Sequence, residues 1–192
     1  MNRRPFKIAV AGTHSTGKST FLASVRAALE SQGTRVVSVH YSAVDAQSRG
    51  FPILAEHTFG STAWLMARAM ELEEEAALKA EVILIDRPVP DALGYLLAAL
   101  RHTGRTLRPG RYERLAAICA AWAGEYDLVF LARLDPTIPL GPGRDQDAAF
   151  RSEAARAIAE VIDRLFPYRH VLDNESVDEA LALAVAAFGG RL

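Results

Sequence analysis

Short apolar runs alternate with longer amphipathic stretches along the whole chain. Five runs are short enough for strands and mostly continuous in apolar character: Phe6 to Ala11, Val36 to His40, Val82 to Ile85, Leu128 to Leu131, and His170 to Leu172. Continuous apolar strands are typical of parallel sheets that are covered on both faces. The pattern therefore predicts an α/β fold in three layers, with a five-stranded, mostly parallel sheet between helices.

Amphipathic periodicity predicts the helices. The first helix begins in a glycine-rich segment after the first strand and ends near Gly33. A second long helix carries apolar residues at helical spacing between Leu65 and Ala76. Its acidic residues are expected to face water for the most part: Glu71, Glu73, Glu74 and Glu75.

Two further helices have marked ends. One carries Ala155 to Leu165 in register and ends before Pro167, which cannot continue a helix without losing a hydrogen bond. The last helix begins at Ser176. We predict a capping box there, in which the Ser176 hydroxyl accepts from the amide of Glu179 and the Glu179 carboxylate accepts from the amide of Ser176.

Composition narrows the class of protein. The 192 residues are 50% hydrophobic, which favours one domain spanning residues 1–192. The net charge of -1 gives no general attraction for nucleic acid or an acidic membrane surface. Cys119 is the only cysteine, so an internal disulfide is excluded and a reducing, cytoplasmic location is favoured. The apolar run after Arg3 and Arg4 is too short for a signal peptide, and we expect a soluble protein with no membrane span.

The segment after the first predicted strand has the pattern G-x-x-x-x-G-K-[ST], which is typical of a phosphate-binding loop. Glycine lets the backbone turn its amides towards phosphate oxygens, Lys18 adds a positive charge, and Ser19 supplies a hydroxyl for Mg²⁺. The sequence therefore predicts binding of ATP and Mg²⁺. The predicted cofactor-binding residues are Gly12, Thr13, His14, Ser15, Thr16, Gly17, Lys18, Ser19 and Thr20.

Asp86 and Arg87 follow the third predicted strand. In a parallel sheet this places a carboxylate beside the phosphates, where it can hold Mg²⁺ or accept a proton. Arg87 can neutralise charge on a transferring phosphoryl group, although a surface salt bridge is the alternative. We predict Lys18, Asp86 and Arg87 as catalytic residues, with Ser19 and Asp86 at the metal.

A Pro- and Gly-rich segment, Pro136 to Gly143, precedes Arg144 and Arg151. Such a composition favours a loop that can close over a nucleotide and bring guanidinium groups to its phosphates. We predict a lid near residues 136–151, with Arg144 in both catalysis and ATP binding and Arg151 in ATP binding. Ordinary surface arginines are the alternative.

A second group of arginines lies further back in the chain: Arg101, Arg105, Arg108, Arg111 and Arg114. With only Tyr112 interleaved, this group is expected to be mostly solvated. Nucleic acid is therefore an unlikely partner. The sequence contains no N-K-x-D element, the segment that reads guanine, and this disfavours a GTPase.

Several of these motifs together resemble the small P-loop kinases grouped with the ribosylnicotinamide kinase domain of the bacterial NAD regulator, which are also similar to thymidylate and deoxynucleoside kinases. The matching segments are Gly12 to Thr20, Arg49 to Ile53, Ile85 to Arg87 with Asp91 to Tyr95, and Gly143 to Asp147 leading to Phe150-Arg151. The resemblance implies that the helix after the second strand and the segment after Asp86 line an acceptor pocket. It also implies that the loop around Arg144 is the lid.

The resemblance also implies which residues bind the acceptor. Those residues are Asp45, Arg49, Trp64, Arg87, Asp91 and Tyr95. Asp45 stands near the position where the family often has a glutamate, so the proton acceptor is either Asp45 or Asp86. His57, Phe59 and Trp64 either stack on an acceptor ring or pack in the core.

We expect an ATP-dependent kinase that phosphorylates a hydroxyl of a small molecule, most plausibly a nucleoside or nucleoside-like compound. One alternative is a nucleoside monophosphate kinase. Another is a regulatory module that hydrolyses ATP slowly without an acceptor. The sequence leaves a homodimer open.

Overall fold

The computed structural model describes residues 4–40, 43–134 and 147–190. Five strands form its single described sheet in the order β2-β3-β1-β4-β5, and every strand pair is parallel. The strands are β1 (Phe6–Ala11), β2 (Val36–His40), β3 (Val82–Asp86), β4 (Leu128–Ala132) and β5 (His170–Leu172). The predicted α/β class and parallel sheet are confirmed.

Helices cover both faces of the sheet. They are α1 (Lys18–Glu30), α2 (Ala43–Ser48), α3 (Phe59–Ala77), α4 (Val89–Thr103), α5 (Arg111–Ala123), α6 (Ala148–Leu165) and α7 (Val177–Gly189), with a short 3₁₀ helix at Leu54–Glu56. Ile8, Leu84 and Phe130 pack in one apolar cluster with residues of α1 and α7. Ala9, Ile83 and Val129 pack on the opposite face with residues of α4 and α6. Both faces are therefore buried, which explains why the strands lack alternating polarity.

The strand register brings three chain segments to the same edge of the sheet. Val10 pairs with Asp86, and Asp86 pairs with His40 on the other side. The ends of β1, β3 and β2 therefore lie side by side. In open parallel sheets, ligands bind at such carboxyl ends, next to the point where the strand order reverses.

Helix α4 crosses α6 unusually closely at Gly94. A Cβ at this position would lie 2.6 Å from Ile158 Cγ1 and 2.7 Å from Ile158 Cα. Both distances are shorter than normal carbon contacts, so a larger residue would push the two helices apart. This packing fixes α4, which carries Asp91 and Tyr95 to the edge of the sheet.

The prediction that the α3 glutamates face water is wrong for Glu73, which is fully buried. Its carboxylate accepts hydrogen bonds from Tyr126 OH at 2.8 Å, Trp122 Nε1 at 3.0 Å and Lys7 Nζ at 3.3 Å. Periodicity along one helix did not reveal these partners, because they come from β1 and from the end of α5 and the residues that follow it. Loss of hydration raises the pKa of Glu73, while the three donors oppose this effect.

Ser176 stands immediately before α7, but the predicted capping box is wrong. Its hydroxyl donates to the Asp173 carboxylate at 2.8 Å, and no side-chain hydrogen bond caps the helix. Ser176 has φ -105° and ψ 3°, whereas capping residues usually have extended backbones. The Ser176 amide, which would donate to Glu179 in a capping box, donates instead to Asp173 Oδ1 at 3.0 Å, and Ser176 Oγ accepts from the amide of Asp173 at 3.2 Å.

Within the described ranges, no helix has both the length and the apolar content that crossing a membrane requires.

Candidate phosphate-binding site

The glycine loop connects β1 to α1 and encloses a small cleft. Gly12 has φ 134°, and a Cβ there would lie 2.9 Å from the carbonyl oxygen of Ala132. Ser15 has φ 54° and Gly17 has φ 77°, so the chain turns tightly before α1 begins at Lys18. The helix N-terminus adds a partial positive charge to this concave backbone. The geometry is that of an anion cradle.

Lys18 lies across this cradle and is buried. Its ammonium group donates to the carbonyl oxygen of Thr13, and to Thr16 Oγ1 at 3.2 Å. Two loop oxygens are weaker partners for a buried ammonium than a charged phosphate would be. The side chain is therefore placed to bind an anion in the cleft.

Ser19 and Asp86 meet at the mouth of the loop. The Ser19 hydroxyl donates to Asp86 Oδ2 at 2.7 Å. Asp86 Oδ1 is buried and has no hydrogen-bond partner among the described residues. A hydroxyl and a carboxylate with a spare oxygen fit Mg²⁺, which prefers oxygen ligands and keeps several waters. The structure thus brings together the two residues that the sequence assigned to the metal.

Arg87 follows Asp86 and points to α4. It has φ 71°, which costs roughly 1 kcal/mol or more for a residue with a side chain. Its Nη1 donates to Tyr95 OH at 2.8 Å, and its guanidinium carbon lies 5.2 Å from the centre of the Tyr95 ring. Strained residues are retained where the surrounding structure holds them, often at functional sites.

Asp91 lies beneath the glycine loop and is fully buried. Its Oδ2 accepts a hydrogen bond from the backbone amide of Gly12 at 3.1 Å. Burial raises the pKa of Asp91 to about 7, while the charges of Arg87 and Lys18 and the Gly12 amide oppose this rise. Its role as a residue that touches the acceptor stays a prediction.

Arg151, at the start of α6, contacts the loop from the other side. Its Nη2 donates to the carbonyl oxygen of Ser15 at 3.0 Å. The side chain is buried, and its Nε has no partner in the described part of the chain. The predicted lid lies mostly in residues 136–146, which include Arg144 and are outside the described residues, so that prediction stays open.

Two cavities meet at the glycine loop. The first, of about 150 Å³, is lined by the loop residues His14 to Thr20 together with His40, Asp86 and Arg87. The second, of about 380 Å³, borders Thr16 and Gly17 and continues along Arg133, Leu172 and Asn174. The phosphate-sized cleft therefore adjoins a larger pocket that has both apolar and polar walls.

The other residues predicted to bind the acceptor form a cluster around α2 and the first turns of α3. Arg49 Nε donates to Asp45 Oδ1 at 3.0 Å, and its guanidinium carbon lies 5.6 Å from the centre of the Trp64 ring. Trp64 stacks on Phe51 at 5.0 Å between ring centres. These contacts join Asp45, Arg49 and Trp64 in one surface. Binding of an acceptor to this surface stays a prediction.

His57 and three of the arginines have partners within the chain. His57 is buried and stacks on Tyr95 at 5.6 Å, and burial lowers the pKa of its imidazole to about 4. Arg101 pairs with Glu160, Arg105 donates to backbone carbonyls at Ala55 and His57, and Arg111 lies over the Phe59 ring. Arg101, Arg108 and Arg114 are nevertheless exposed, and Arg105 and Arg111 are half-buried, so the group is mostly at the surface as predicted.

Sequence reasoning missed His40 and the wall of the larger cavity. His40 Nδ1 lies 3.7 Å from Asp86 Oδ2 and faces the smaller cleft. Asp173, Asn174 and Glu175 follow β5 and line the larger pocket. Their positions at the carboxyl ends of two predicted strands were the available signal, since parallel strands end at one edge.

The fold and the loop together define the class: a P-loop nucleotide-binding protein with the architecture of small kinases. A family model described as an AAA domain matches residues 7–180, and the chain belongs to that family. The resemblance to small P-loop kinases drawn from the sequence is confirmed at the level of fold and family. No curated protein matches the chain.

Solved structures with the same fold include three of direct interest. Thymidylate kinase from Candida albicans has a TM-score of 0.62 at 14% identity, with 100% of this chain and 94% of that chain covered. Deoxyadenosine kinase from M. mycoides with bound dATP has a TM-score of 0.65 at 16% identity, covering 96% and 100%. The NadR protein in complex with NR has a TM-score of 0.68 at 15% identity, covering 97% of this chain and 52% of that chain.

Proposed function

We propose that the protein is a kinase that transfers the γ-phosphoryl group of ATP to a hydroxyl of a nucleoside or nucleoside-like molecule. The observation that carries the proposal is the pairing of Ser19 with Asp86 at 2.7 Å, with a second, buried oxygen of Asp86 unpartnered beside the glycine loop. This is the donor set that a phosphate-bound Mg²⁺ requires. Arg87, next in sequence, places a guanidinium group on the side of the site that faces α4.

The donor side is formed by the loop and the larger cavity. Loop amides and Lys18 would bind the phosphates, and Arg151 would contribute its unpartnered Nε. The 380 Å³ cavity next to Gly17 has room for a nucleobase and offers polar groups at Asn174 and Glu175. Bound ATP with Mg²⁺ would supply the phosphoryl group and a good leaving group.

The chemical work of the protein is then mainly positioning and neutralisation of charge. Asp86 would hold the metal and is the better candidate to accept the hydroxyl proton, since Asp45 is paired with Arg49 at the surface of α2. Lys18 and Arg87 would stabilise charge that spreads over the transferring group. If the predicted lid closes, Arg144 would add to this charge and exclude water.

The proposed acceptor class is supported by residues that the family resemblance assigns to the acceptor. Trp64 and Arg49 would offer an aromatic ring and a guanidinium group, which suit a planar base joined to a hydroxylated sugar. The name of one structural relative, deoxyadenosine kinase, supports the same class, whereas thymidylate kinase is named for a nucleoside monophosphate and agrees with the alternative. These considerations favour a nucleoside over an unrelated alcohol.

The test is ADP release from Mg·ATP in the presence of single nucleosides and, separately, nucleoside monophosphates. We expect one nucleoside to raise turnover at least about tenfold over the unstimulated rate, with the Lys18→Ala variant as a matched control without activity. Stimulation by a monophosphate alone would favour the monophosphate kinase. Slow hydrolysis that no acceptor stimulates would contradict the kinase proposal and favour the regulatory module.

A further inference from the structure

Helix α4 contacts the glycine loop through two side chains one helical turn apart. Asp91 accepts from the amide of Gly12 at 3.1 Å, and Tyr95 OH lies 3.2 Å from Thr13 Oγ1. Residues four apart on a helix share a face, so both contacts come from the same side of α4. The first two residues of the loop are thereby tied to one rigid helix.

The hydroxyl of Tyr95 also holds Arg87. Arg87 Nη1 donates to the phenolic oxygen at 2.8 Å, and the same hydroxyl shares a hydrogen bond with Thr13 Oγ1 in which either oxygen can donate. The guanidinium group is packed against the Tyr95 ring as well. One oxygen atom therefore links the arginine at the end of β3 to the second residue of the glycine loop.

Tyr95 itself has little freedom to move. The residue is 7% exposed, its ring stacks on His57, and Phe150 of α6 lies 6.4 Å away between ring centres. The close crossing at Gly94 and Ile158 fixes the same turn of α4. A side chain that is packed on several sides keeps the groups that are hydrogen-bonded to it in fixed positions.

We propose that Tyr95 is a positioning residue whose hydroxyl holds Arg87 and the glycine loop in a fixed position relative to each other. The guanidinium group can then contact the phosphoryl group that the loop binds. This inference rests on the proposed kinase function for its catalytic consequence. It assigns the hydroxyl a role through Arg87 and Thr13 rather than through contact with an acceptor. A phenyl ring at this position would preserve the stacking but remove the link.

The test compares Tyr95→Phe with Tyr112→Phe, which removes a hydroxyl from a half-buried tyrosine on α5. We expect Tyr95→Phe to lower kcat about tenfold while the affinity for a non-hydrolysable ATP analogue changes less than about threefold, and Tyr112→Phe to keep wild-type kinetics. In an Arg87→Ala background, Tyr95→Phe should cause a clearly smaller loss, since only the hydrogen bond to Thr13 is then left to remove and residues that act as a unit are not additive. An equal loss in both backgrounds would overturn the proposal.

A second measurement separates this inference from the proposed function. Hydrogen exchange of backbone amides 12–16 reports on the loop without any phosphoacceptor. We expect at least about tenfold faster exchange in Tyr95→Phe than in Tyr112→Phe, with unchanged exchange in the β4 amides. If no acceptor supports turnover but this difference is seen, the kinase proposal fails and the link stands; unchanged loop exchange would overturn the link.

Discussion

Strand β1 has a buried polar cluster at each end, and the two clusters differ in how far their groups are paired. At its start, Lys7 contacts Glu73, whose two carboxylate oxygens accept from Tyr126, Trp122 and Lys7. The Tyr126 hydroxyl in turn accepts from the amide of Val89, the first residue of α4. Within the described chain this network leaves no oxygen of Glu73 without a donor.

At the end of β1 the buried groups are only partly paired. Asp86 Oδ1, Asp91 Oδ1 and Arg151 Nε are buried without hydrogen-bond partners among the described residues. Positive φ angles at Ser15 and Arg87 add backbone strain beside them. A buried polar group without a partner costs about 1–3 kcal/mol, so such groups persist where a ligand completes them.

We infer that the fully paired cluster serves the fold and that the incompletely paired cluster serves the candidate site. A fully paired network stabilises one arrangement of α3, α5 and β1 around it. The incompletely paired cluster, next to an anion cradle, fits the phosphate and metal that we propose for this site. Variants at the two ends of β1 should therefore affect different measurements.

The largest expected effect is the loss of turnover in Lys18→Ala. The variant removes a charge whose interaction with the phosphoryl group strengthens as the bond breaks, and we expect a fall of about a thousandfold, or about 4 kcal/mol. Unfolding in urea should be little changed from wild type, since the partners of the Lys18 ammonium group include two oxygens of its own loop, which belong to a hydroxyl and a carbonyl rather than to a buried carboxylate. The exposed Lys79→Ala variant is the control. A fall of less than about tenfold would refute the role of Lys18.

At the other end of β1, Glu73→Gln should unfold the protein more easily. The amide keeps the shape but leaves the buried ammonium of Lys7 without its buried carboxylate and places a second donor beside Trp122. We expect a loss of about 3 kcal/mol in the free energy of unfolding, measured by urea titration. Glu75→Gln, on the exposed face of the same helix, should change stability by less than about 0.5 kcal/mol. Equal stability of the two variants would contradict a structural role for the network.

Asp86→Asn changes the incompletely paired cluster and should affect turnover rather than stability. The amide preserves the size of the side chain but removes the charge that Mg²⁺ or the acceptor proton needs, so we expect about a hundredfold loss of Mg²⁺-dependent turnover. Folding should remain normal. Turnover is measured across a magnesium titration, with exposed Asp178→Asn as the control. Unchanged rates at every magnesium concentration would remove Asp86 from the site.

The smallest effect concerns His57, which stacks on Tyr95 near the incompletely paired cluster. Burial lowers the pKa of its imidazole to about 4, and the charges of Arg87 and Arg105 act in the same direction. The unfolded chain takes up this proton near pH 6.5 while the folded chain stays neutral, so stability is full above pH 6.5 and falls as the pH decreases towards 4. Between pH 8 and pH 5 the loss from this group is about 2 kcal/mol.

The check is the free energy of unfolding of wild type and His57→Gln at both pH values. We expect the variant to lose less stability than wild type on going to pH 5, because it carries no imidazole at this position. The same decrease in both proteins would show that other groups cause the acid sensitivity.

The sheet and the centre of the candidate site could be predicted from the amino-acid sequence. Each apolar run forms a strand, because continuous apolar segments of that length are typical of a parallel sheet that is covered on both faces. The glycine loop and Asp86 were predictable from local pattern, since loop conformation and strand-end position depend on neighbours in the chain. That local information also placed Ser19 beside Asp86 once the strands were taken as adjacent and parallel.

The partners of the buried polar groups could not be predicted from the sequence, because they come from distant parts of the chain. Glu73 looked like one of several solvated glutamates, and its burial depends on Lys7, Trp122 and Tyr126, which lie far away in sequence. In the same way, Tyr95 could not be linked to Thr13 and Arg87 from spacing alone, because the contact depends on how α4 packs at Gly94. Periodicity reports which face of an element is apolar, whereas the pairing of a polar atom depends on groups that only the folded chain brings within about 3 Å.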